Sequence, residues 1–237
     1  MLSRFEYLNK NLRLMAEFAL EQVMLQADAM ENDDHDLAIR VITRDDELDK
    51  LEKENDNLSQ NAILEAAANQ QAVNEERPKG YAPEPLRFAL SAIRLTRYFE
   101  RIGDQVVDSL SAFQNGNIRK GFFKEDETAS LILARVVTIV GMAVESLVEE
   151  KDRFYGSVQK VEKELDYHCM SLFRSAVDDA RFSRREFADL FRILISIERQ
   201  GDLAENVAME LVRLQTGRDI RHLFPGSPAF RTDDSPP

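Results

Sequence analysis

Glu100 and Asp104 stand four residues apart in Phe99-Glu100-Arg101-Ile102-Gly103-Asp104, and 98 residues later Glu198 and Asp202 repeat the spacing in Ile197-Glu198-Arg199-Gln200-Gly201-Asp202. In a helix, residues four apart point about 40° from each other, one turn above the other, so each pair forms a two-acid ledge. Leu86, Ala89, Ile93, Thr96 and Val107 share the direction of Glu100, and Phe187, Phe191, Leu194, Met209 and Val212 share that of Glu198. The acids are therefore expected in the middle of apolar stripes, where an ionised carboxylate needs a cation or a metal.

Two further pairs precede these, Asp45 with Asp49 and Glu162 with Asp166. If the helices pack as bundles, Asp45, Asp49, Glu100 and Asp104 converge in the first half, and Glu162, Asp166, Glu198 and Asp202 in the second. Oxygen-only clusters suit hard cations such as Mg²⁺, Mn²⁺, Ca²⁺ or oxidised iron, whereas zinc ordinarily includes His or Cys. One such pair alone reads as a solvated helix face or a partner for Lys and Arg; four pairs at repeated positions favour a cation site. Arg101 and Arg199 lie about 100° away from the ledges and face neighbouring helices or solvent. Gly103 and Gly201, each costing about 1 kcal/mol against Ala inside a helix, fit either a close approach by a helix or ligand or a tolerated packing glycine.

The elements that must position these residues are helices. Leu8, Leu12, Met15, Ala19, Val23, Ala27 and Met30 mark a first amphipathic helix ending before Glu31-Asn32-Asp33-Asp34. That acidic cluster caps a second helix, which carries Leu37, Val41, Leu48, Leu51 and Leu58 and continues to about Asn74. Three prolines and a glycine between Glu75 and Pro85 break the pattern, and Pro85 opens a third helix that fades at Asn115-Gly116-Asn117. A fourth runs through Leu131 to Val148, a fifth starts between Asp152 and Ser157, and Ser183-Arg184-Arg185-Glu186 is a capping box opening the sixth, closed by Gly217.

Pairing the halves aligns Val41 with Val158, Asp45 with Glu162, Leu48 with Leu165 and Asp49 with Asp166, so the reading is an all-α protein of two tandem three-helix bundles. The repeats occupy 1–117 and 118–223, and the Pro-, Ser- and Asp-rich 224–237 is expected to be a disordered tail. Cys169 falls where Glu52 stands in the first half and reads as a small core residue.

Composition narrows the partners. With 43% hydrophobic and 31% charged residues, a chain of 237 reads as globular, and a net charge of -12 argues against nucleic acid. One cysteine precludes an intrachain disulfide, and neither a signal segment nor an apolar run of membrane-spanning length stands out, so a cytoplasmic protein is expected. His35, His168 and His222 have no metal-ligand spacing, and no Gly-rich phosphate loop or Ser, His and Asp constellation is recognisable.

At these residues the chain resembles the PhoU family of phosphate-uptake regulators, whose tandem three-helix repeats carry Glu-Arg-Ile-Gly-Asp. Glu100 to Asp104 matches that motif fully, and Glu198 to Asp202 matches it except at Gln200. Asn206-Val207 is similar to the Asn-Ile that extends the motif, with Asp108-Ser109 in its place in the first half, and Gly217 to His222 resembles the segment ending the family's last helix. The resemblance implies a dimer whose acid clusters bind iron, zinc, magnesium or manganese. It also implies partnership with a phosphate ABC transporter and a sensor histidine kinase at the membrane, holding phosphate-starvation signalling off when phosphate is plentiful. The Glu75–Pro85 connection, Asp108, Gln200 and Cys169 depart from the pattern. The favoured function is a non-catalytic metal-binding regulator; the competitors are a metal-dependent enzyme on a helical bundle and an accessory protein of another ion transporter.

Overall fold

The computed structural model describes residues 4–70, 84–149, 155–180 and 182–217. Among them the chain is all-α, with no strand: α1 (Arg4–Glu31), α2 (His35–Thr43), α3 (Asp45–Gln70), α4 (Glu84–Asn115), α5 (Phe122–Glu125), α6 (Glu127–Glu149), α7 (Tyr155–Asp178) and α8 (Arg184–Thr216). The expected end of the second helix beyond Gln70, most of the Glu75–Pro85 connection and the tail at 224–237 lie outside the described residues.

Helices α1, α3 and α4 pack on one another, and so do α6, α7 and α8; α4 against α8 and α1 against α6 join the two sets. The central ring is thus α1, α4, α8 and α6, with α3 laid over α1 and α4, and α7 over α6 and α8. Its interior is one continuous core, including Leu12, Met15, Phe99, Ile102, Ile132, Ile139, Ile197 and Ala204. Two polar contacts stitch the ring. Glu210, 6% exposed, accepts from Ser91 Oγ (2.7 Å) and Arg94 Nη1 (3.0 Å), so α8 meets α4 through a buried, charge-assisted set. Gln200 Nε2 donates to Gln26 Oε1 at 2.9 Å, joining α8 to α1 with both side chains fully buried.

Helix ends follow local chemistry. Asp34 accepts from Leu37 N–H at 2.8 Å, the Ser183 and Glu186 capping box is complete, and Gly217 closes α8 at φ 70°. The expected single second helix is instead two, because Arg44 (φ -84°, ψ -3°) turns the chain and its N–H bonds Val41 O at 3.1 Å. From α1, Glu21 holds the Arg44 guanidinium at 3.0 and 3.3 Å, and the Phe18 ring lies 4.8 Å beneath it. The restart places Asp45, Asp46 and Glu47 in the first turn of α3. The one-turn α5 buries Phe122 and Phe123 after Gly121, whose φ of 79° puts it in the left-handed region. Although no apolar run stood out in the sequence, α6 is long and apolar enough to cross a membrane by length and composition; here Ile132, Val136, Ile139, Val140 and Ala143 are buried as it packs on α1, α7 and α8.

Candidate functional site: two carboxylate ledges

Each motif helix meets its outer helix through a glycine. A Cβ at Gly103 would overlap Leu48 Cδ2 and stand 3.5 Å from Asp45 Oδ1; a Cβ at Gly201 would come within 2.7 Å of Leu165 Cδ2. The close-approach reading of these glycines therefore holds, and the approaching residue is the same in both halves, since Leu48 and Leu165 are aligned by the repeat. The absent side chain lets α3 close on α4 and α7 on α8, which brings the acids of each helix pair face to face.

The ledges do not sit where the helical arithmetic put them. Ala92, Leu95, Phe99, Val106 and Leu110 are the buried side of α4, and their mean direction lies about 100° around the helix from Glu100. On α8 the buried set of Ile193, Ile197, Ala204 and Ala208 is displaced from Glu198 in the same sense. Asp104 and Asp202 are exposed, Asp45, Asp49, Glu100, Asp166 and Glu198 are half-buried, and Glu162 is buried at 8% exposure. Of the residues sharing the ledge direction, Ala89, Thr96 and Leu194 are buried, Leu86, Ile93, Val107, Phe187, Met209 and Val212 are half-buried, and Phe191 is exposed. The ledges line the groove between outer and motif helices.

Both groups of four assemble as pairs of facing helices, and each recruits neighbours the motif did not include. In the first half Asp104 acts on Asp45, while Asp49 and Glu52 act on Glu100 and Asp108 acts on Asp104. In the second, Asp166 and Asp202 act on Glu162 and Glu198, and Glu205 also acts on Glu162 while accepting from Gln159 Nε2 at 3.3 Å. Glu52, Asp108 and Glu205 were within reach of the sequence, one turn along from Asp49, Asp104 and Asp202. Among the described residues no three His, Cys, Asp or Glu side chains gather closely enough to hold one ion, so the acids form strips and not a closed cage.

Cations are scarce along these strips. Of the eight acids, Asp49 alone has a described ion pair, with exposed Lys53 at 3.9 Å, a contact worth at most about 1 kcal/mol. Burial, then the neighbouring carboxylates, pushes Asp45 up to about 6, Glu100 to about 7 and Glu162 to about 8. Burial likewise raises Asp104, Glu198 and Asp202, with Arg101 and Arg199 pulling weakly the other way. Asp104 raises Glu100, and Asp166 raises Glu162, through a side-chain hydrogen bond as well as through charge. Carboxylates held together without countercharge, on helices drawn close by glycine, fit a hard cation as a donor set. They also fit simple proton sharing.

Residues 12–117 match the PhoU domain family. The phosphate-specific transport system accessory protein PhoU homolog of Clostridium acetobutylicum is 25% identical over 224 residues, 92% of this chain and 95% of that protein. The accessory protein PhoU of Edwardsiella tarda is 25% identical over 93% of this chain and 86% of its own length. The crystal structure of PhoU from Pseudomonas aeruginosa superposes with a TM-score of 0.73 at 21% identity, over 91% of this chain and 98% of that one. The phosphate transport system regulatory protein PhoU from Streptococcus pneumoniae does so with a TM-score of 0.74 at 16% identity, over 91% and 96%. Domain match over the first half, full-length relatives and fold agree in making PhoU proteins what this chain is similar to.

Proposed function

We propose that this protein is a non-catalytic regulator of phosphate uptake and phosphate-starvation signalling. In this reading it acts from the cytoplasm, as a homodimer, on a phosphate ABC transporter and a sensor histidine kinase, and its two ledges hold metal ions. The relatives' names place them with the phosphate-specific transport system, which supports the transporter as partner. The observation that carries the reading is the doubled ledge: Glu-Arg-x-Gly-Asp on α4 and on α8, each facing a second acid pair across a glycine contact.

A metal bound at Asp45, Asp49, Glu100 and Asp104, or at Glu162, Asp166, Glu198 and Asp202, would supply the positive charge that these acids lack. The chain's own residues set what it can do. Acids on both sides of each groove would tie the outer helix to the motif helix, and so fix the outward faces that a partner would meet. An enzymatic reading gains nothing from the site, because the strips offer acids but no nucleophile paired with a base.

Deleting the gene is expected to raise transcription of phosphate-starvation genes in phosphate-replete medium, and the tagged protein should retain the transporter or the kinase from detergent-solubilised membranes. Unchanged transcription together with retention of neither partner would overturn the regulatory reading.

A further inference from the structure

What folding requires of one half it requires of the other, so a surface present on one repeat alone has another cause. On α7, Tyr167, Met170, Phe173 and Val177 follow one another at steps of three and four and share a stripe. The register that pairs Leu48 with Leu165 sets Lys50, Lys53, Asp56 and Gln60 at these places on α3. The fold therefore does not require an apolar stripe there, yet Tyr167, Met170 and Val177 are between 50% and 70% exposed.

The stripe runs into the groove between α7 and α8, at the end away from the acids. Phe173 lies half-buried with its ring 5.2 Å from those of both Phe187 and Phe191, and Phe191 is itself exposed. Beside them Val177, Phe182 and Phe187 line a cavity of about 280 Å³ at the start of α8. That is below the roughly 300–1,000 Å³ of small-molecule sites and ample for one anchoring side chain. Arg174 on α7 and Arg184, Arg185 and Arg192 on α8 are exposed about this end of the groove, and none forms an ion pair among the described residues. Arg94, the counterpart of Arg192 on α4, is instead held by Glu210. Glu186 is engaged in the capping box and Asp189 by Asn117, so the arginines outnumber Asp178 and Asp179.

We infer that this end of the α7–α8 groove is a docking site for an acidic, amphipathic helix of a partner protein. Its bulky apolar side chains lie against Phe173, Val177 and Phe191, one of them entering the cavity, and its Asp and Glu residues face the arginines. A helix laid between two helices presents anchors at i, i+3, i+4 and i+7, which suits a stripe of this spacing. The cavity favours a protein over a lipid surface, which has no single side chain to seat. On a chain of net charge -12 a local cationic rim directs an anionic partner to this face. The site uses none of the eight ledge acids and needs no metal, so it goes beyond the regulatory reading and does not rest on it.

The test is selection from a displayed library of random peptides, several helical turns long, on the immobilised full chain after depletion on the Met170→Glu plus Val177→Glu variant. Enriched peptides are expected to carry apolar residues at helical spacing with Asp and Glu between them, and to bind wild type at least tenfold more tightly than the variant. Both altered residues are exposed, so the variant should keep the wild-type circular dichroism. Lys53→Glu plus Gln60→Glu, at the matching places on α3, should bind the peptides as wild type does. Arg184→Glu plus Arg192→Glu should bind them weakly and recover when lysine replaces the acids of the peptide. No enrichment that depends on Met170 and Val177, or enrichment of basic peptides, would overturn the inference. Without such enrichment, variant-sensitive sedimentation with phosphatidylglycerol vesicles would make the face a membrane surface. A dimer in light scattering that the variant breaks would make it a contact between copies. Either result overturns the docking site and leaves the regulatory reading to its own test.

Discussion

At the scale of single residues the acids are unlike one another. Glu162 keeps a proton up to about pH 8 because burial and then Asp166 disfavour its charge, whereas an unfolded glutamate loses its proton near about 4.3. Between those values the folded chain binds more protons than the unfolded chain, so this contribution to stability is complete below about pH 4 and is lost as pH rises to about 8. Glu162→Gln removes the titration while keeping the shape. In chelator-treated protein, wild type should lose more of its Tm between pH 5 and pH 8 than Glu162→Gln does. The expected gap is about 2–4 °C, the shift that about 1 kcal/mol produces in a chain of this size. Equal losses in the two proteins would show that Glu162 is already charged at neutral pH. The identities of the eight acids were readable from spacing and repetition. The depth of each was not, because a stripe direction computed from a few apolar neighbours cannot say which side of α4 or α8 the ring of helices will cover.

At the scale of elements, the glycines decide how near the helices come. Gly201→Ala would put a methyl 2.7 Å from Leu165 Cδ2, and Leu165 is fully buried and has little room to move. The overlap costs about 1–3 kcal/mol, partly offset by about 1 kcal/mol of better helix propensity. Thermal unfolding should therefore show a Tm lowered by up to about 8 °C. Adding Leu165→Ala should give a double variant more stable than the two single losses sum to, since the second change makes room for the first. Strict additivity would mean that the contact is not the reason for the glycine. Helix boundaries were legible wherever a cap spelled them out, as at Asp34, Ser183 and Gly217. The break at Arg44 was hidden because its cause lies on α1, in Glu21 and Phe18, and α5 was hidden because one turn is too short to show a period.

At the scale of the molecule, the two halves share a plan and pack into one ring of helices. Doubling was plain from the repeated motif, yet the sequence did not show how the halves join: α4 runs along α8, Glu210 reaches Ser91 and Arg94, and Gln200, where the first half has Ile102, hydrogen-bonds Gln26. This shared ring leaves the grooves on separate helix pairs, α3 with α4 and α7 with α8, with no contact between α3 and α7 among the described residues. Cation binding in one groove should therefore be little affected by changes in the other. The most direct measurement is equilibrium dialysis of Mn²⁺ against chelator-stripped wild type, the Glu100→Ala plus Asp104→Ala variant, the Glu198→Ala plus Asp202→Ala variant and their combination. Wild type should bind at least two ions per chain, each paired variant should lose its own share, and the combination should bind none. No Mn²⁺ on wild type, or the same amount on all four proteins, would contradict the assignment of the ledges as metal sites.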